Sequence, residues 1–422
     1  MPDRLLPVRP NLEQLKHQAK DLLRQLHSGD PAAIADLKQY HPKPVEPARA
    51  KLADAQLVLA RSYQSPNWPR LVIACHLIDA IWNDDLETVR ALVLKHPHLL
   101  HESARVQKNS SWGPPMSYAA NLGRDRIIRM LHELGAKDHL YAIGRAALQS
   151  KTGTVHMLYE MAGKPRIPDD GLGSPAYTLS ESGTAALLEL GARVYDENGK
   201  RLAPVDVVLE TDSRKPSEKH QILELYVQHG FKLPDTPTMA LHRGRIDLLE
   251  EHLRCDPNLL RRTFAFGEIY PPELGCHDEV LATHGTPLAG ATLLHICADY
   301  DEIEIARWLL EKGMDANLKA AVDAGGFGGH TALFATVVSQ PNFWMNRNRL
   351  PQAAPFTQLL LDHGADPNVR ASLRKQLHPG YGEDTMHEYR DVTPLSWGER
   401  FHRKEFVSEA AMRLIAECGG NR

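Results

Sequence analysis

The sequence predicts an all-α fold made of repeated pairs of short helices, closed at its N-terminal end by a separate helical segment. Three observations carry this. The stretch Ala291 to Asn317 holds two short apolar runs at helical spacing, followed by a glycine. Similar stretches recur along the chain from about residue 72. Residues 1–70 lack that pattern but carry their own helical periodicity.

In the clearest unit, Leu293, Leu294, Cys297 and Ala298 form the first apolar run. Ile303, Ile305, Ala306, Trp308, Leu309 and Leu310 form the second. Gly313 follows, where a left-handed residue ends a helix. In Pro114 to Lys137, Ala119 and Ala120 take the small positions, Ile127, Ile128, Met130 and Leu131 the second run, and Gly135 the end. A third copy runs from His330 to Asn368, stretched between its helices, and a fourth opens at Asp391. Residues 80–100 and 240–260 resemble each other and share an x-Pro-x-Leu-Leu end at Pro97 and Pro257. About nine units fit between 72 and 420, in two sub-arrays near 72–233 and 236–421. One helix pair cannot bury its own apolar face, so neighbours must stack, which predicts a solenoid with loops along one edge.

These segments resemble ankyrin repeats. Thr292, Leu294, His295, Ala298, Glu304, Ile305, Leu309, Leu310, Gly313, Asp315 and Asn317 fall at that family's spacing, and Gly364, Ala365, Asp366 and Asn368 repeat its ending. The resemblance implies a non-catalytic module that binds protein partners through its finger loops and first helices. It also implies that His295 hydrogen-bonds between neighbouring repeats.

Residues 1–70 begin with Leu12, Leu15, Ala19, Leu22, Leu23 and Leu26 at helical spacing. Asp30-Pro31 starts a second helix, a proline-rich link follows, and a further helix ends near Ser65-Pro66. Trp68 is expected in a core. The segment is similar to the N-terminal helical region of a set of bacterial ankyrin proteins. Its expected role is to cap the open end of the solenoid.

Composition narrows the function. The formal net charge is -4, which gives no global pull towards nucleic acid or an anionic membrane. Residues 1–70 hold 11 Lys and Arg against 7 Asp and Glu, too small and too interspersed an excess for a nucleic-acid surface. The five cysteines include no CxxC and suit reduced thiols. The N-terminus is too broken by charge and proline for a signal peptide. The most apolar run, Leu71 to Trp82, is too short and too polar for a membrane span. A monomeric cytoplasmic protein is expected, without a cofactor.

The stretch Asp323 to Phe334 has the glycine density of a phosphate-binding loop. That motif needs a lysine where His330 stands and a first glycine where Ala324 stands. The glycines read instead as a long finger, with Thr331 opening the next helix. A zinc set can be drawn from Cys276, His277, His284, His295 and Cys297, and the 264–297 loop is the alternative site for a metal, a small molecule or catalysis. The spacing fits no zinc motif, and no G-x-S-x-G or H-E-x-x-H occurs. Trp112, Phe264, Phe266, Tyr270, Phe327, Phe343, Trp344 and Tyr381 lie on predicted fingers and are the candidate partner contacts. The alternative for each is that it tucks back onto its own repeat.

Overall fold

A computed structural model describes residues 4–107, 110–211, 213–277, 285–377 and 385–422. They fall into two compact units, 1–174 with 189–192, and 175–188 with 193–422. The expected sub-array boundary at 233–236 lies inside the second unit.

The first unit opens with helix Leu12–His27, capped by the Asn11 side chain, with Leu15, Ala19, Leu22 and Leu26 buried along one face. Asp30 caps Pro31–Tyr40, its Oδ1 accepting from the Ala33 N–H at 2.9 Å. The third helix, Leu52–Ser62, stops before Ser65, and Gln64 turns the chain in the left-handed region at φ 62°. Trp68 starts helix Trp68–Trp82 and packs half-buried against the N-terminal core. Residues 4–9 lace this segment to the helices that follow. Arg9 reaches Asp79 at 2.7 Å and Asn83 at 2.9 Å. Arg105 donates to the Leu6 carbonyl and Tyr118 to that of Val8.

Two backbone marks recur among the helix pairs. A left-handed residue joins the two helices: Asp84, Gly123 and Ser150 in the first unit, Leu179, Gly244 and Asp301 in the second. A left-handed glycine follows the second helix at Gly135 and Gly163, and at Gly230, Gly313, Gly364 and Gly419. At Gly313, φ is 94° and an added Cβ would meet nothing, so the demand there is conformational rather than steric. Asp301 takes the joint at φ 61° where the repeat pattern calls for glycine, and polar Asp tolerates that region better than most residues. The similarity of 80–100 to 240–260 extends to geometry: Leu86–Lys95 runs into a 3₁₀ turn at Pro97–Leu100, and Ile246–Cys255 into one at Pro257–Arg261.

The fingers of the second unit join into a backbone ladder. The Phe264 N–H donates to the Ala291 carbonyl at 2.8 Å, and the Ala321 N–H to that of Gly290 at 2.8 Å. Gly328 and Ser372 exchange both main-chain bonds, at 2.6 and 3.3 Å. Ser372 belongs to β1 (Ala371–Lys375), which pairs antiparallel with β2 (His387–Val392). The chain is largely helical, and this hairpin is the one two-stranded sheet among the described residues. β2 carries an extra residue at its bulge, where Asp391 sits at φ 49°.

Candidate functional site

Asp323 folds the glycine finger into a tight turn. Its Oδ1 accepts from the N–H groups of Gly325 at 2.8 Å and Phe327 at 3.0 Å, while its own N–H donates to the Phe327 carbonyl at 2.8 Å. Its Oδ2 meets Arg374 at 2.6 Å. The Phe327 N–H, then the remaining turn amides and Arg374, hold this carboxyl below its usual range. The turn points Phe327 inward, at 6% exposure, rather than out at the tip. The Arg374 and Arg390 guanidinium groups cover its ring at 4.9 and 4.3 Å.

A cleft of about 370 Å³ opens between this finger and β1. Pro287, Ala321, Phe327 and Leu373 line it, with Arg374, Gln376 and Glu388 among its polar groups. Exposed Met386 lies on its rim, and exposed Val322 sits between two lining residues.

The other described candidate aromatics turn inward or pack half-buried on neighbouring residues. Phe264 is buried under Arg262, and Phe266 stacks half-buried on Tyr270 with ring centroids 4.9 Å apart. Tyr270 is fully buried and its hydroxyl meets that of Tyr300 at 2.6 Å. Phe343 is buried against Phe406 at 4.7 Å, with Trp344 edge-on and half-buried. These two lie on helix Gln340–Arg347, capped by Ser339, in what the sequence presented as a loop insertion. Trp112 is half-buried between Tyr118 and Arg145. Phe264, Tyr270, Phe327 and Phe343 are buried rather than exposed, the last three because each ring finds a partner distant in sequence. Tyr381 lies outside the described residues.

Sequence reasoning missed a buried polar cluster beneath the fingers. Lys219 Nζ lies 2.8 Å from Glu302 Oε1, and Arg214 lies 3.4 Å from Asp299, all four side chains at most 3% exposed. Lys219 Nζ also sits 3.8 Å from the centre of the Tyr300 ring. Burial pulls the Lys219 ammonium below its usual range, more than Glu302 restores. Burial pushes the Glu302 carboxyl up, and Lys219 with His220 more than reverse this. The cluster is interior and holds helix Pro216–Gln228 against the segment around 299–302.

The 264–297 loop gathers no metal set among the described residues, where no three His, Cys, Asp or Glu side chains are placed to share an ion. His277 pairs with Glu210 at 2.8 Å. Cys276 and Cys297 are buried, and burial pushes both thiols up, away from reactivity. His284 and the Asp278-Glu279 pair lie outside the described residues. His295 has the position its pattern implies. Its Nδ1 accepts from Thr292 Oγ1 at 2.8 Å, and its Nε2–H donates to the His330 carbonyl at 3.0 Å. The His330 ring in turn donates to the Pro287 carbonyl at 3.1 Å, so it spaces two fingers instead of facing a phosphate.

No helix among the described residues is long and apolar enough to cross a membrane. Residues 289–318 match the family model described as ankyrin repeat. Among solved structures, the human ASB11 ankyrin repeat domain is similar at 13% identity, covering 73% of this chain and 99% of that chain with a TM-score of 0.28. No curated protein matches the chain.

Proposed function

We propose that this chain is a non-catalytic recognition module that binds a protein partner on the finger side of its second unit. The observation carrying this is the cleft between the glycine finger and β1, with exposed Val322 and Met386 beside it. An apolar floor with a charged rim is the anatomy of a protein interface. The repeat match at 289–318 agrees with it, because such repeats generally mediate protein–protein contact. In this reading the repeats stack as a solenoid in sub-arrays near 72–233 and 236–421, residues 1–70 act as a cap, and the chain acts as a cytoplasmic monomer. Phe264, Tyr270 and Phe327 stiffen the fingers from beneath, and Phe343 anchors helix Gln340–Arg347 on Phe406. Phe266 and Trp344 offer partly exposed edges as secondary contacts, Trp112 is a separate candidate on the first unit, and Tyr381 is the remaining one.

Affinity purification with the full chain as bait tests the proposal. Val322→Asp with Met386→Asp is expected to lose the specific partner while keeping the wild-type circular dichroism. A partner retained in full by that double variant overturns the placement of the surface.

A further inference from the structure

The cleft has a main-chain wall as well as side chains. In a strand, the N–H and C=O of one residue point to the same side, and those of the next residue to the other. Ser372 directs both groups to Gly328. By that alternation Leu373 and Lys375 turn theirs to β2, opposite Tyr389 and His387, and Arg374, opposite Glu388, turns its own away. Arg374, and Gln376 just after the strand, therefore turn their main-chain groups to the Gly328 side, into the cleft. Beyond the Gly328–Ser372 contact the finger folds back onto Asp323, and among the described residues no finger main-chain group bonds the N–H or C=O of either residue. Burial agrees with the alternation: Leu373 and Lys375 are buried, whereas Arg374 is exposed and Gln376 half-exposed.

Taking the finger side as the binding surface, we infer that the partner supplies an extended segment that adds as a strand to β1, pairing with the main chain of Arg374 and Gln376. The chemistry selects that occupant. An open pair of main-chain donors and acceptors is matched best by another main chain. The apolar groups beside them, Phe327, Leu373 and Pro287, accept aliphatic side chains from that segment. The charged rim is balanced: Arg374 faces Asp323, and Arg390 faces Glu388 at 3.1 Å. It therefore selects neither a polyanion nor a polycation. The ladder already runs finger to finger from Phe264 to β2, and the segment would continue it where the finger diverges. The Arg374 charge guards this edge against indiscriminate pairing.

The test uses the full chain and a phage-displayed library of random peptides. Selected peptides are expected to slow amide exchange at Arg374 and Gln376. Gln376→Pro removes one main-chain donor at an edge position that tolerates proline, and is expected to weaken binding about tenfold or more, and by clearly more than Gln376→Ala, which loses the side chain but keeps the main-chain N–H. Peptides N-methylated at single positions give the same readout on the unmodified protein, should the proline variant fail to fold. Binding that ignores both Gln376→Pro and N-methylation, yet is lost in Val322→Asp with Met386→Asp, overturns strand addition and leaves the partner surface standing. A library yielding no peptide that protects these amides also overturns it. So does a concentration-dependent dimer abolished by Gln376→Pro, which assigns the edge to a second copy of the chain.

Discussion

Lys219 and Glu302 form an ion pair at 2.8 Å with side chains only 1% and 3% exposed. Such a pair is costly to break from one side, because the charge left behind has neither water nor a counter-ion. Glu302→Ala is expected to destabilise the protein by about 3–5 kcal/mol. Replacing both partners, as Lys219→Met with Glu302→Leu, removes the stranded charge and is expected to recover most of that loss. Urea unfolding of Lys219→Met, Glu302→Leu and the double variant gives the coupling. A Glu302→Ala cost under about 1 kcal/mol would show that the pair is solvated.

The histidines between repeats predict a pH dependence. Burial pulls the His295 ring down to about 4, and burial with the facing His295 ring pulls His330 down to about 3. In the unfolded chain both titrate near about 6.5. Below that pH the unfolded state takes up protons that the folded state refuses, so stability falls as pH drops from 7 towards 4. Each ring contributes roughly 2 kcal/mol of loss between pH 7 and pH 5. His295→Gln is expected to shrink the difference between urea midpoints at the two pH values by about one ring's share. An unchanged difference would mean that water reaches the wild-type ring.

The parts legible in the sequence are those set by local rules. Gly135 and Gly313 mark helix ends because a left-handed turn is a property of a few neighbouring residues. The same holds for the Asp30 cap. His295 was legible through its motif. Phe327 was not: its direction depends on Asp323 nearby, but also on Arg374 and Arg390 from a distant hairpin. Lys219 sits in a stretch that reads as polar surface, and only Glu302 and the Tyr300 ring make its burial tolerable. The β1 edge needs a register, which no single segment encodes.

Asp323 is the knot of the glycine finger, so untying it should bring Phe327 out. Asp323→Ala removes the acceptor shared by Gly325 and Phe327 and the anchor for Arg374. Faster amide exchange at both residues and a new chymotryptic cut after Phe327 are expected in the otherwise folded protein. Asp323→Asn keeps the turn acceptor but loses the ion pair, and should fall between Ala and wild type. Equal resistance of all three to chymotrypsin would mean that the arginines alone hold the ring.

Gly328 separates steric from conformational demand. Its φ is 123°, and an added Cβ would lie 2.0 Å from the Ala321 carbonyl oxygen, a main-chain atom that cannot swing aside. At Gly326, φ is 78° and the space is open. Gly326→Ala should therefore cost only the left-handed penalty of about 1–2 kcal/mol. Gly328→Ala adds the clash and pushes the finger off Ser372, and should exceed it by about 1–3 kcal/mol in urea unfolding. Amide exchange at Ser372 should quicken in the Gly328 variant and not in the Gly326 variant, because only Gly328 bonds to it. Equal costs for the two substitutions would mean that the finger can shift away from Ala321 without losing its place beside β1.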